Sequence, residues 1–493
     1  MKLEDLKLLI AAGNPIISIT TPDEPRAMHA VQEVAQATGL PVSVWSLTEG
    51  LQACGIDQVL VEAGKPAAAL KYVKDAPHPA IYVFKDLGQH AREPQILRYL
   101  RDLYFSPVSR LWTLILLDAI APPMEMRRLS LPFEIGWPDE EEILAIVKRT
   151  FQEAQQRSLQ KVESRLNKSE LELAVQSLRG LTSEEIVRVV SEVLYKDYVL
   201  DRAGLPRLVE AKRTRLAATG CLESIVADVS PDEIGGLRNL KRWLNLRHCG
   251  FSSRAQDFGL EPPRGILLLG VQGCGKSLCA KVVASAWRMP LVRMDPGVLY
   301  QKFVGETEAR LREALQQAEA MAPVVFWIDE IEKAFASMSS ESADGGLSQR
   351  MFGTLLTWMQ DHRQPIFLIA TANDIERLPP ELMRKGRFDE IFFVDLPGAD
   401  ERDAIFTIHL RKRGREKAAF DMGRLTAATE NFTGAEIEQA VVSGLYAAYA
   451  EKVEFATEHI VAAASVTQPI AVVMRERVDK LRAWAHGRCV MAD

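Results

Sequence analysis

Residues 270–277 read GVQGCGKS, between the apolar run Ile266-Leu267-Leu268-Leu269 and a helix-compatible stretch from Leu278 to Met289. Strand, glycine-rich loop and helix in that order are the setting of a Walker A phosphate loop. Gly270, Gly273 and Gly275 let the backbone curl until successive N–H groups face one anion. The N-terminus of the following helix adds partial positive charge at the same place. Lys276 is placed to reach the β- and γ-phosphates, and the Ser277 hydroxyl to hold Mg²⁺. The competing reading, a chance glycine-rich turn, fails on the spacing of Gly, Gly, Lys and Ser behind a buried strand.

A chain of 493 residues is too long for one ordinary core and suggests about three domains. The net charge of -6 argues against a bulk nucleic-acid binder. The basic runs Lys212-Arg213-Thr214-Arg215 and Arg411-Lys412-Arg413-Gly414-Arg415 are not interleaved with aromatics and read as solvated faces. The 6 cysteines form no CxxC pair, which argues against zinc and against a disulfide framework. Cys274 and Cys279 flank the loop as small packing residues, with oxidation of Cys274 a lesser reading. The opening MKLEDLKLLIAAG carries acids and no long apolar core, unlike a signal peptide, and no apolar stretch reaches transmembrane length. A reducing cytoplasmic setting without a membrane partner is expected.

Three further segments carry chemistry. Residues 324–331, VVFWIDEI, are a buried strand ending in two acids. Asp329 is placed to order Mg²⁺ and Glu330 to polarise the attacking water, because phosphoryl transfer is mostly positioning and charge neutralisation. The strand Ile366 to Ala370 leads to Asn373, an amide able to bond that water or the γ-phosphate; alone, an asparagine helping a turn is the commoner role. In ELMRKGRFD, residues 381–389, Arg384 and Arg387 stand three apart around a glycine. They read either as a solvated basic turn or as arginine fingers supplied to a neighbouring subunit's γ-phosphate.

In this order the motifs resemble the AAA (AAA+) family of ATPases, in the branch of proteasomal and membrane-anchored protease ATPases and microtubule-severing enzymes. Asp232-Glu233-Ile234-Gly235-Gly236-Leu237 is similar to the leading segment whose backbone contacts adenine, so that Ile234 and Gly235 join Gly270, Val271, Gln272, Gly273, Cys274, Gly275, Lys276, Ser277 and Leu278 as nucleotide contacts. His409 matches the position beside adenine, and Gly434-Ala435 the lid segment facing the nucleotide. Lys302-Phe303-Val304-Gly305 resembles the first pore loop, which grips extended polypeptide, and Ser337 to Ser348 falls where a second is expected. The resemblance covers about residues 230–465 and implies a P-loop α/β fold with a parallel sheet and helical lid. It implies ATP and Mg²⁺ as ligands, and a homo-oligomeric ring, a hexamer, because the fingers act in trans. Two departures stand out: Lys385 where many relatives carry proline, and Trp327 in the Walker B strand. No HExxH pattern follows, which excludes a built-in zinc protease of that type.

The first half repeats the second. Thr182, Glu185, Ile186, Val190, Leu194 and Tyr195 recur 251 positions later as Thr433, Glu436, Ile437, Val441, Leu445 and Tyr446. At an offset of 250, TTPDEPRA (residues 20–27) falls on GVQGCGKS. Pro25 lacks an N–H, Asp23 and Glu24 repel phosphate, and Arg26 and Ala27 replace Lys and Ser. Ala80 to Asp86 resembles a Walker B strand without its acid pair, and Leu114 to Asp118 a sensor strand without its Asn. The expected layout is a degenerate AAA-like module over 1–200 (α/β 1–138, lid 139–200), a linker 201–229, an ATPase subdomain 230–398, a lid 399–470 and a helical tail 471–493 with Trp484 docking it. The alternative for 1–200 is an unrelated α/β adaptor. The layout is similar to an AAA subfamily encoded by conserved open reading frames of plastid, cyanobacterial and other bacterial genomes. The expected activity is ATP-driven remodelling of protein clients through a pore; a nucleotide-gated scaffold, and behind it a nucleic-acid remodeller, are the competitors.

Overall fold

The computed structural model describes residues 3–55, 58–90, 93–106, 112–158, 160–219, 221–296, 306–335, 347–384 and 386–493. The chain divides into two compact units, Met1–Leu208 and Val209–Asp493.

The first unit holds β1 (Ile16–Thr20), β2 (Val42–Ser46), β3 (Gly50–Ala53), β4 (Val59–Val61), β5 (Ala80–Lys85), β6 (Trp112–Asp118) and β7 (Leu131–Phe133) in one sheet ordered β4-β3-β2-β5-β6-β1-β7. The stretch β2-β5-β6-β1-β7 is parallel, and β3 and β4 extend its edge antiparallel. A small parallel pair, β8 (Glu163–Ser164) and β9 (Val199–Leu200), lies among the helices Glu140–Arg157, Lys168–Leu178 and Ser183–Asp197 that follow.

The second unit repeats the plan. Its sheet joins β10 (Leu222–Ile225), β11 (Gly265–Gly270), β12 (Leu291–Met294), β13 (Val324–Ile328), β14 (Ile366–Ala372), β15 (Glu390–Val394) and β16 (Val490–Met491) in the order β10-β12-β13-β14-β11-β15-β16. The parallel run β12-β13-β14-β11-β15 has the same connectivity as β2-β5-β6-β1-β7. Strands β11, β13 and β14 are buried along every residue, as parallel strands covered on both faces must be. The helix Lys276–Trp287 covers one face, with Trp287 against Phe367 at 4.5 Å between rings.

Both units carry helices after their main strands, and the repeated residues explain why those helices start alike. Thr182 with Glu185, and Thr433 with Glu436, each form a capping box at the first turn. Ile186 and Val190, like Ile437 and Val441, are buried in their own helical cores, whereas Tyr195 and Tyr446 are exposed. The lid of the second unit packs Phe406, Leu410, Leu425, Ile437, Val441 and Ile460 together.

Residues 202–219 and 222–225, within the stretch expected as a linker, instead form regular elements. Leu205–Thr219 is a helix with Leu208 and Leu216 buried, and Leu222–Ile225 pairs antiparallel with β12. The tail likewise does more than form a helix. β16 pairs with β15, and the Asp493 carboxylate clamps Arg238 at 2.6 Å, just past the Gly235-Gly236 segment. The helix Arg475–Ala485 docks through buried Val478, Leu481 and Ala485 and through Arg482 on Asp395 at 2.9 Å, while Trp484 is only half-buried beneath Arg488.

Candidate active site

The carboxyl ends of β11, β13 and β14 open on one cavity of about 380 Å³, at the crevice where parallel α/β sheets take ligands. The loop after β11 forms its floor. Gly270 ends the strand at φ 148°, where a Cβ would collide with the Val394 carbonyl. Gly273, at φ 82°, lets the lid approach: a Cβ there would stand 3.0 Å from Thr433 Oγ1, and the Ala435 N–H donates to the Gly273 carbonyl at 3.1 Å. Lys276 is buried, its Nζ donating to the carbonyls of Gly270 at 2.9 Å and Val271 at 2.7 Å. Gly270 and Val271 thus stand behind the lysine, while Gln272 to Leu278 line the cavity itself. Burial lowers the Lys276 ammonium to about 8, with Glu332, Asp329 and Glu330 pulling the other way. A phosphate arriving at this point meets a charge that lacks a full counter-ion.

The acids are held by one hydroxyl. Thr371 Oγ1 accepts from the Glu330 N–H at 2.9 Å and donates to Asp329 Oδ1 at 2.7 Å. Ser277 Oγ donates to the same Asp329 oxygen at 3.1 Å, so the two expected metal-side residues face each other. Glu330 sits in the left-handed region, φ 50°. Its Oε1 accepts from Asn373 Nδ2 at 3.0 Å, and its other oxygen pairs with Lys333. Glu332 is buried and accepts from the Asn373 N–H at 2.9 Å through Oε1, while Oε2 has no partner among the described residues; burial holds its carboxyl above the usual range.

The far wall comes from Ile234, Gly235, Ile408, His409, Gly434 and Ala435. Burial lowers the His409 pKa despite Glu438, whose Oε1 lies 3.5 Å from Nδ1, so a neutral ring faces the cavity. Cys274 and Cys279 are each pushed up to about 12 by burial, which keeps both as unreactive thiols. Arg384 is exposed and does not line the cavity; Arg387 is buried, 7 % exposed, and donates to the Glu381 carbonyl. Lys302, Phe303, Val304 and Gly305, Lys385, and residues 337–346 of the second expected loop lie outside the described residues. The sequence reading passed over Thr371, Glu332 and Glu438. A polar residue closing an otherwise apolar strand was the available signal for Thr371.

The residues fit a magnesium nucleotide. A cradle of glycines, a buried lysine, a hydroxyl facing a carboxylate, and an acid beside an amide converge in one cavity. Comparison with known proteins agrees. Residues 266–396 match the ATPase family associated with various cellular activities (AAA), residues 2–135 the N-terminal domain of SpoVK-like AAA ATPases, and residues 141–219 their second domain. The chain is 35% identical over 487 residues to the AAA domain-containing protein ycf46 of Pyropia yezoensis, covering 98% of this chain and 97% of that protein. It is 34% identical over 492 residues to ycf46 of Guillardia theta, covering 98% and 94%. It is 33% identical over 245 residues to the proteasome-activating nucleotidase of Methanosarcina mazei, covering 48% and 57%. The chain belongs to the AAA ATPase family.

In the first unit of this AAA protein the corresponding strand ends carry different residues. Its helix begins at Glu24, two residues before the counterpart of Lys276, so the curl of the phosphate loop is absent. Asp23, 5 % exposed, takes the place of Gly273. Its Oδ1 accepts from the Arg26 N–H at 3.3 Å and its Oδ2 from the Ser183 N–H at 2.7 Å, where the repeat places Gly434. Arg26 turns away to Glu142 at 2.9 Å. Lys85 pairs with Glu24 at 2.8 Å, and Asp86 follows it at φ 56°, the conformation Glu330 has in the other unit. Asp118, at the end of β6, accepts from the Gly88 N–H at 2.8 Å, while its Oδ2 has no partner among the described residues.

Two outcomes follow. Burial pushes the Asp118 carboxyl up to about 6, so the stability it lends is full in acid and is lost as pH rises through that value. Asp118→Asn should therefore stabilise the first unit by about 2 kcal/mol at pH 7.5 and by nothing at pH 4, read by calorimetric melting at both pH values. Lys276→Ala should weaken nucleotide binding about 30-fold or more, read by isothermal titration, because the phosphate loses its buried cation.

Proposed function

We propose that this protein is an ATP-driven, ring-forming remodeller of protein clients, working in the cytosol. The observation that carries the hydrolytic part is the convergence of Lys276, Ser277, Asp329, Glu330 and Asn373 on one cavity. Lys276 leaves the loop carbonyls for the β- and γ-phosphates. Ser277 and Asp329 would hold Mg²⁺, which would supply neutralisation of phosphate charge. Glu330 takes the proton of the water that attacks the γ-phosphorus, while Asn373 holds the carboxylate in line; the bond to the bridging oxygen breaks and ADP leaves. Glu330→Gln should retain ATP binding and lower kcat by about 10²–10³, read by steady-state hydrolysis beside a binding titration.

The ring is supported by Arg384, which is exposed and absent from its own chain's cavity, as a group serving a neighbour would be. Arg387 acts through the turn it holds. Arg384→Ala should lower hydrolysis by about 10³ without loss of ATP binding, and mixing with Glu330→Gln chains should restore part of it if sites are shared between protomers. A wild-type rate in Arg384→Ala would count against the ring.

Client handling is supported by the pore-loop pattern around Phe303 and by similarity to a proteasome-activating nucleotidase. Phe303→Ala should abolish the stimulation of hydrolysis by an unfolded polypeptide; retained stimulation would refute the pore assignment. We further read the first unit as a body that takes no nucleotide, since Asp23 bonds the Arg26 and Ser183 amides and Glu24 pairs with Lys85 where phosphate and metal would lie. The 6 free cysteines are in keeping with a reducing compartment.

A further inference from the structure

Trp327, an unusual residue for the strand before the acid pair, sits in a cross-strand row that the hydrolytic reading does not use. Arg293 on β12 lies directly opposite Trp327 on β13, and Glu223 on β10 lies directly opposite Arg293. The Arg293 guanidinium lies over the indole ring, 5.2 Å from its centroid. Trp327 is buried, so the ring is a fixed platform. Side chains two apart on a strand share a face, and Asp329 is two residues beyond Trp327. Arg293 follows that face: its Nη2 reaches Asp329 Oδ2 at 3.5 Å and its Nη1 reaches Glu223 at 3.7 Å.

The two oxygens of Asp329 therefore have separate partners. Oδ1 is turned to Ser277 and Thr371, on the side where the metal would lie. Oδ2 is turned to Arg293, away from it. A carboxylate rotates easily about its terminal torsion, and nothing in Oδ1's two neutral hydroxyl partners fixes which oxygen faces Ser277 as firmly as a cation on the other oxygen does. The planar guanidinium stacked on an aromatic face is the cation best suited to stay in place there.

We propose that Arg293, braced on Trp327, is a positioning residue for Asp329 and thereby sets how much magnesium tightens nucleotide binding. The inference rests on the reading of Ser277 and Asp329 as the metal side of the site. Outer-sphere partners of metal-binding carboxylates are commonly worth about tenfold or more in metal affinity.

The test is the binding of a fluorescent ADP to the full chain, titrated with MgCl₂ and repeated in EDTA. In Arg293→Gln the magnesium concentration giving half of the tightening should rise about tenfold, with affinity in EDTA unchanged. Arg293→Lys keeps the charge without the planar stack and should lie between, and Trp327→Leu should shift in the same direction as Arg293→Gln. An unchanged magnesium requirement in both Arg293 variants overturns the proposal, as does a lowered one, which would make the arginine a competitor of the metal. If the unaltered chain binds ADP equally with magnesium and with EDTA, the reading of Ser277 and Asp329 itself fails.

Discussion

Gly270 is where the sheet and the chemistry meet. Its backbone lies against the Val394 carbonyl so closely that no side chain fits. That contact keeps β11 tight between β14 and β15, and so keeps the phosphate loop at the strand end rather than above it. The register then does the rest. Leu268 pairs with Thr371 and Ile328 with Ala370, which brings the strand ends carrying Lys276, Asp329, Thr371 and Asn373 to one level. Because these strands are buried on both faces, sliding one by a residue would turn its apolar side chains to the wrong layer. The positions of the reacting groups are therefore as well determined as the core itself.

Each charged group of the site assembled on that frame has a resting partner before any ligand arrives. Lys276 rests on carbonyl oxygens, Asp329 on two hydroxyls and Arg293, and Glu330 on Asn373 and Lys333. An uncompensated buried charge costs several kcal/mol, so each group needs a resting partner. The consequence is that nucleotide binding is an exchange of partners. The geometry near the bond to be broken exists in advance, which is the condition for electrostatic preorganisation.

Local pattern carried most of what the sequence could reveal. Glycine spacing, a lysine and hydroxyl at a helix start, and paired acids at a strand end are all encoded within eight residues, and these groups do meet in one cavity. The repeat was legible for a similar reason: Thr182-Glu185 and Thr433-Glu436 are capping boxes, a local device with a fixed sequence form. What stayed hidden depends on neighbours far along the chain. Arg293 matters because it pairs with Trp327 across strands, and Asp23 because it meets Ser183, 160 residues away. Arg387 reads like Arg384 until burial separates them. The strand Leu222–Ile225 has no strong pattern of its own and is a strand because the edge of β12 is there to receive it.

The two units differ in what ties helices to the strand ends. In the second unit the lid meets the loop through neutral groups, chiefly the Ala435 N–H on the Gly273 carbonyl, and the space beside them is open. A ligand there adds contacts to loop and lid together, so its arrival and departure change how firmly they are joined. In the first unit a carboxylate of the chain itself bridges the same two places, from the Arg26 amide to the Ser183 amide. A bridging group that is covalently part of the loop cannot diffuse away as a ligand does. A hydrogen bond to a charged acceptor is also about twice as strong as a neutral one. One fold thus supplies a loop and lid with open space for a ligand between them, and a copy in which the chain's own side chain joins the two.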